Sequence, residues 1–205
     1  MDKNQALSDL DYLKTLAESG QKSPLLGGRI GLMWTVLLVP TLIANGLVAT
    51  GIIEIPPQNI GFLWMCFGIL GGVLSLILAR GLERKPGAGT AANQVAATIW
   101  PFSSILIFAF AISIAVGAAF NQLPKIAFNF IMPLAFATAA MSQAVLARMT
   151  GETFLRQASW AGLVFVCLTA IFANRGEVYF ISAFGVLLTG VIPSLIELRK
   201  ETAGG

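Results

Sequence analysis

Residues Ile30–Gly51 read IGLMWTVLLVPTLIANGLVATG, a run without one charged side chain. A helix rising about 1.5 Å per residue needs about 20 such residues to cross the roughly 30 Å oil layer of a bilayer. This run meets that length. Working outward, five more stretches qualify: residues 60–79, 94–119, 126–147, 158–173 and 178–198. The fifth is the shortest and sits at the lower limit. An open sheet cannot replace these helices, because lipid leaves its unpaired backbone groups unsatisfied. The expected fold is therefore an all-α polytopic membrane protein with six transmembrane helices.

Composition agrees. Of 205 residues, 56% are hydrophobic and 11% charged, against about 25% charged in a soluble domain. The expected organisation is a cytoplasmic amphipathic helix and linker over residues 1–29, a transmembrane domain over 30–198 and a cytoplasmic tail over 199–205. The first apolar run follows almost thirty polar and charged residues. It therefore reads as a retained signal anchor rather than a cleaved leader.

Charge placement predicts the orientation. Lys3, Lys14, Lys22 and Arg29 precede the first span. Arg80, Arg84 and Lys85 follow the second, Arg148 and Arg156 the fourth, and Arg199 and Lys200 the last. Only Lys125 and Arg175 fall on the opposite side. By the positive-inside rule both termini are expected in the cytoplasm, in a membrane of the bacterial inner type.

The three hairpins resemble one another. The even spans close on Arg80, Arg148 and Arg199 and carry Phe62, Phe130 and Phe180 near their outer ends. The odd spans carry Trp34, Trp100 and Trp160 near their inner ends. A threefold repeat of one helical hairpin explains this. So does convergence, since interfacial Trp and inner-end Arg suit any membrane helix.

Before the first span, residues from Ser8 to Ser19 show helical periodicity. Leu7, Leu10, Leu13 and Leu16 share one face, while Asp9, Asp11, Lys14 and Glu18 lie elsewhere. A lipid-surface helix usually carries a basic polar face. This one is mostly acidic, so its leucines are read as partner-binding residues that contact protein, this chain's own loops included.

No Asp, Glu, Lys or Arg occupies the middle of a span, where pumps and ion-coupled carriers place them. Glu197, near the end of the sixth span, is expected to pair with Arg80 or Arg148, or to stand at the interface beside Lys200. The buried polar set is neutral. Asn45, Ser103, Asn129 and Gln143 are the candidates for a polar pathway; the alternative is hydrogen bonding between helices. Gly68 and Gly72, and Ala135 and Ala139, mark close helix approaches. Pro40, Pro101, Pro133 and Pro193 each remove a helical hydrogen bond.

The chain has no histidine. That removes the usual general base and the commonest zinc and haem ligand. Cys66 and Cys167 lack CxxC spacing and read as small buried hydrophobes. No catalytic residue, metal site or cofactor is expected, and no nucleic-acid partner. The partners expected are membrane lipids and another membrane or cytoplasmic protein. Two functions fit: a non-catalytic accessory, assembly or regulatory subunit, and an uncoupled channel or facilitator for a small neutral solute.

Overall fold

The computed structural model describes residues 24–203. It is all-helical, with no strand among the described residues. Five helices run Gly28–Ala49 (α1), Pro57–Ala79 (α2), Ala91–Ala119 (α3), Ile131–Thr150 (α4) and Thr153–Ile171 (α5). The last span comprises Val178–Val186 (α6), a π turn at Leu187–Val191 and Ile192–Ala203 (α7). Short 3-10 turns occupy Leu82–Arg84 and Lys125–Phe130. Together these give six helical segments long and apolar enough to cross a membrane, as the sequence predicts. The amphipathic helix expected at Ser8–Ser19, with Leu7, Leu10, Leu13 and Leu16, lies outside the described residues.

The ends differ from expectation for local reasons. Helix α3 starts at Ala91 rather than at residue 94, because the Thr90 side chain caps it by accepting from the Asn93 N–H at 3.4 Å. The fourth span opens as a 3-10 turn after Pro124 and becomes α-helical only at Ile131. It ends at Gly151, whose φ of 74° closes the helix in the left-handed region. Helix α5 begins at Thr153, five residues before the expected start of the fifth span, and takes Arg156 into its first turn.

The spans are unequal in packing. Helices α1, α4, α5 and α6 build the main core from Leu42, Met132, Phe136, Phe165, Val178, Tyr179, Ala183 and Val186. Phe136 and Phe165 stack with ring centroids 5.4 Å apart. Gly185 makes room for both rings, since a Cβ there would lie 2.5 Å from Phe136 and 2.7 Å from Phe165. Helix α1 crosses the last span along its whole length. Gly28 abuts Glu197 and Leu198, Gly31 abuts Ser194, and Gly46 abuts Phe180. Within the π turn, Gly190 meets Thr35. The described chain thus begins and finishes at one end of the bundle, its terminal end.

Helices α2 and α3 stand at the edges. Helix α2 rests on α1, and α3 rests on α4. Only 6% of the second span and 11% of the third are buried, against 50% of the fourth. The three hairpins are accordingly packed in three different ways. Trp34 turns inward to α2, whereas Trp100 and Trp160 are exposed. Phe180 packs on Gly46, whereas Phe62 and Phe130 are exposed.

Two readings of small residues need correction. Among the described residues nothing lies within 4 Å of a Cβ placed at Gly68 or Gly72; Gly71 is the close approach, under Trp34. Both cysteines are exposed on the apolar surface instead of buried. Lipid tails are as apolar as leucine, so hydropathy alone does not distinguish a face turned to lipid from one turned to protein.

Candidate functional site

The four residues expected to line a polar pathway fall into three separate places. At the end of the bundle away from the termini, Tyr179 of α6 donates its hydroxyl to Asn129 Oδ1 at 2.5 Å, and Asn129 Nδ2 donates to the Ala173 carbonyl at 2.7 Å. Asn45 of α1 neighbours the same hydroxyl. All three side chains are buried. The cluster ties the 3-10 turn before α4, the end of α5, the start of α6 and the flank of α1 into one knot. An amide costs little in lipid only when such partners are supplied.

Gln143 lies fourteen residues further along, about 20 Å deeper at helical rise. Its Nε2 donates to the Thr189 carbonyl at 2.5 Å. The sequence explains why that carbonyl is free. In a regular helix it would accept from residue 193, and Pro193 has no N–H. The chain relaxes around the proline through the π turn, where the Ile192 N–H reaches back to Leu187. Gln143 thus supplies from α4 the hydrogen bond that Pro193 removes. Its Oε1 is buried with no partner among the described residues. Ser103, the fourth residue, lies 3.3 Å from the Ser142 hydroxyl across the α3–α4 contact, and Ser142 donates to the Thr138 carbonyl at 2.8 Å. Asn45 and Asn129 are brought together; Gln143 and Ser103 join neither them nor each other.

A second polar region occupies the terminal end, and the sequence reading largely missed it. Asn93 of α3 accepts from the Leu26 N–H at 2.7 Å and donates to the carbonyls of Pro24 at 3.1 Å and Gly87 at 2.9 Å. Leu25 is buried beneath it among Ala92, Ala96, Leu146, Ala147 and Leu155. The strand of chain leading into α1 is therefore stitched to the first turn of α3. An amide three residues after a Thr cap and six after Gly87 was the signal that could have disclosed it.

Charge at this end is paired differently from expectation. Lys200 bridges to Glu152 at 2.5 Å, and Lys85 pairs with Glu201. Glu197 meets neither Arg80 nor Arg148 in an ion pair among the described residues, and Lys200 is engaged elsewhere. Two hollows flank α1 and α2. An apolar one of about 360 Å³ lies at the end away from the termini, beside Ile53, Phe62 and Cys66. A polar one of about 180 Å³ lies at the terminal end. Among the described residues, no three His, Cys, Asp or Glu side chains gather as a metal site requires.

Leu7, Leu10, Leu13 and Leu16, expected from the sequence to bind a partner, lie outside the described residues, so the geometry at this end begins at Pro24. No family model matches the chain, and neither a curated protein nor a solved structure matches it significantly.

Proposed function

We propose that this chain is a non-catalytic subunit of a bacterial-type inner membrane, with both termini cytoplasmic, that works by binding other proteins. Its contact surface is the segment preceding α1, with Leu7, Leu10, Leu13 and Leu16, together with the loops at the terminal end. The observation that carries this reading is the dispersal of the buried polar groups. Asn129 and Tyr179 bond to each other in one place and Gln143 bonds to the Thr189 carbonyl in another, and these bonds hold helices together. A solute path needs polar groups in a continuous line. Two features add support. Asn93 and Leu25 hold the chain before α1 firmly at the terminal end. Helices α2 and α3, so little covered by their own protein, leave long faces for neighbours in the bilayer.

The test is co-purification. Deleting residues 1–22 should leave membrane insertion intact and abolish recovery of a stoichiometric partner from gently solubilised membranes. Undiminished recovery would refute the docking role.

One observation favours the alternative, an uncoupled facilitator for a small neutral solute. Gln143 presents a buried acceptor, Oε1, that no donor among the described residues satisfies. On that reading, liposomes holding the pure protein pass a neutral solute, and Gln143→Leu reduces the flux. Absence of flux across a panel of small neutral solutes would dispose of it.

A further inference from the structure

Leu25 plugs a small core at the terminal end, built with Ala92 and Ala96 of α3, Leu146 and Ala147 of α4 and Leu155 of α5. Val95, Met149 and Phe154 pack on the rim of this core and stay half-buried. Their setting differs from that of the bare faces of α2 and α3. Those faces run along the spans, where lipid covers them. The rim stands level with Arg148, Glu152 and Arg156, charged residues that mark the water boundary. The Lys200 ammonium lies 5.1 Å from the centre of the Phe154 ring and shields part of it. Apolar surface left at that depth gains from a cover of protein.

Charge around the rim is one-sided. The lysines of this end are engaged, Lys85 with Glu201 and Lys200 with Glu152. Arg148 and Arg156 flank the rim, are exposed and pair with no acid among the described residues. A fitting cover is therefore apolar on one side and acidic beside it.

The chain itself carries such a segment. Within residues 8–19, Leu10, Leu13 and Leu16 share a face, and Asp9, Asp11 and Glu18 outnumber Lys14. Leu25 and the Asn93 bonds pin the lead-in to α1 at this same core. Ser19 stands only five positions before Pro24, at most about 18 Å of chain. A helix over residues 8–19 would itself be about 18 Å long, so the rim is within reach. A tether this short holds the segment near the rim at an effective concentration on the order of millimolar. An anionic lipid surface would instead repel its acids.

We infer that residues 8–19 fold back in cis over the rim formed by Val95, Met149 and Phe154, with their acids turned to Arg148 and Arg156. The leucines stay covered until a partner displaces them. This autoinhibitory contact rests on the docking role proposed above.

The experiment is cysteine cross-linking in the full-length chain, with Cys66→Ala and Cys167→Ala as the background. Under mild oxidation, Leu13→Cys with Met149→Cys should close within one chain. Thr15→Cys with Met149→Cys, from the opposite face of the segment, should close at least about tenfold more slowly, the ratio that a preference of about 1.4 kcal/mol sets. Arg148→Glu with Arg156→Glu should slow the first pair, and Asp9→Arg with Asp11→Arg should restore it in that background. The locked chain should lose its partner in gentle solubilisation and regain it on reduction. Equal closure of the two pairs, or links formed only between separate chains, would overturn the inference. So would undiminished partner recovery by the locked chain. The two readings fail separately. Partner recovery that needs residues 1–22 while the Leu13 pair stays open sinks the cis contact and keeps the docking role. Closure of that pair with recovery indifferent to residues 1–22 upholds the contact and removes the role it regulates.

Discussion

Trp34 donates its indole N–H to the Ser75 hydroxyl at 2.8 Å, and its ring lies so close over the next turn back that a Cβ on Gly71 would fall 2.3 Å from it. This pair of contacts fastens α2 to α1. Gly71→Ala should push the two helices apart and cost about 1–3 kcal/mol, the usual penalty for overpacking. Gly68→Ala and Gly72→Ala should be neutral, because both face open space. Thermal unfolding of the three variants in one detergent checks this. Equal losses would show that the glycine-rich face is packed in some other way.

Gln143 and Pro193 should be coupled. Gln143→Leu strands the Thr189 carbonyl and should cost about 1 kcal/mol. Pro193→Ala returns an N–H to the helix four residues beyond Thr189. In that background Gln143→Leu should cost measurably less. A double-mutant cycle on unfolding free energy reads the difference directly. Strict additivity would mean that the two residues do not share the carbonyl.

Tyr179→Phe removes the donor to Asn129 Oδ1 and leaves a buried amide oxygen unsatisfied. The expected loss is about 1–2 kcal/mol. Its location should be visible by hydrogen exchange. Protection should fall at the 3-10 turn Lys125–Phe130, whereas the core at Phe136 and Phe165 should hold. Uniform loss across all spans would contradict a local knot.

Asn93→Ala should free the lead-in to α1. It deletes the acceptor for the Leu26 N–H and the donors to Pro24 and Gly87 at once. Limited proteolysis should then cut before α1 at least several times faster, with the six spans still inserted. Leu25→Ala should have the same effect through lost burial, since Leu25 is a core residue of that end.

Span number and helical class were legible in the sequence because charge is expelled from oil regardless of neighbours. Runs such as Ile30–Gly51 declare themselves without tertiary information. The fifth span began earlier than hydropathy suggested, because Arg156 and Gln157 sit in its first five residues, where both are exposed. Packing was much less legible. Gly68-x-x-x-Gly72 matches a helix-contact pattern, yet Gly71 makes the contact, since a helix turns 100° per residue and the pattern does not say which face meets protein. The candidate pathway residues were identified by polarity alone. Their roles followed from partners distant in the chain: Asn129 from Tyr179 and Ala173, Gln143 from a carbonyl freed by Pro193. Glu201 and Asn93 escaped notice because each looks like an ordinary interfacial residue until the ends of several helices are assembled around it.

The seat of α1 has a consequence for biogenesis. Helix α1 is synthesised well before the sixth span, yet its glycine contacts, Gly28, Gly31 and Gly46, are filled by residues of that span, Glu197, Ser194 and Phe180. Until those are synthesised, α1 lacks most of its packing, rests chiefly on α2 and must wait in the bilayer. Closure of the bundle is therefore a late, long-range event, and a nascent chain halted before residue 178 should remain open to membrane proteases however well its earlier spans have inserted.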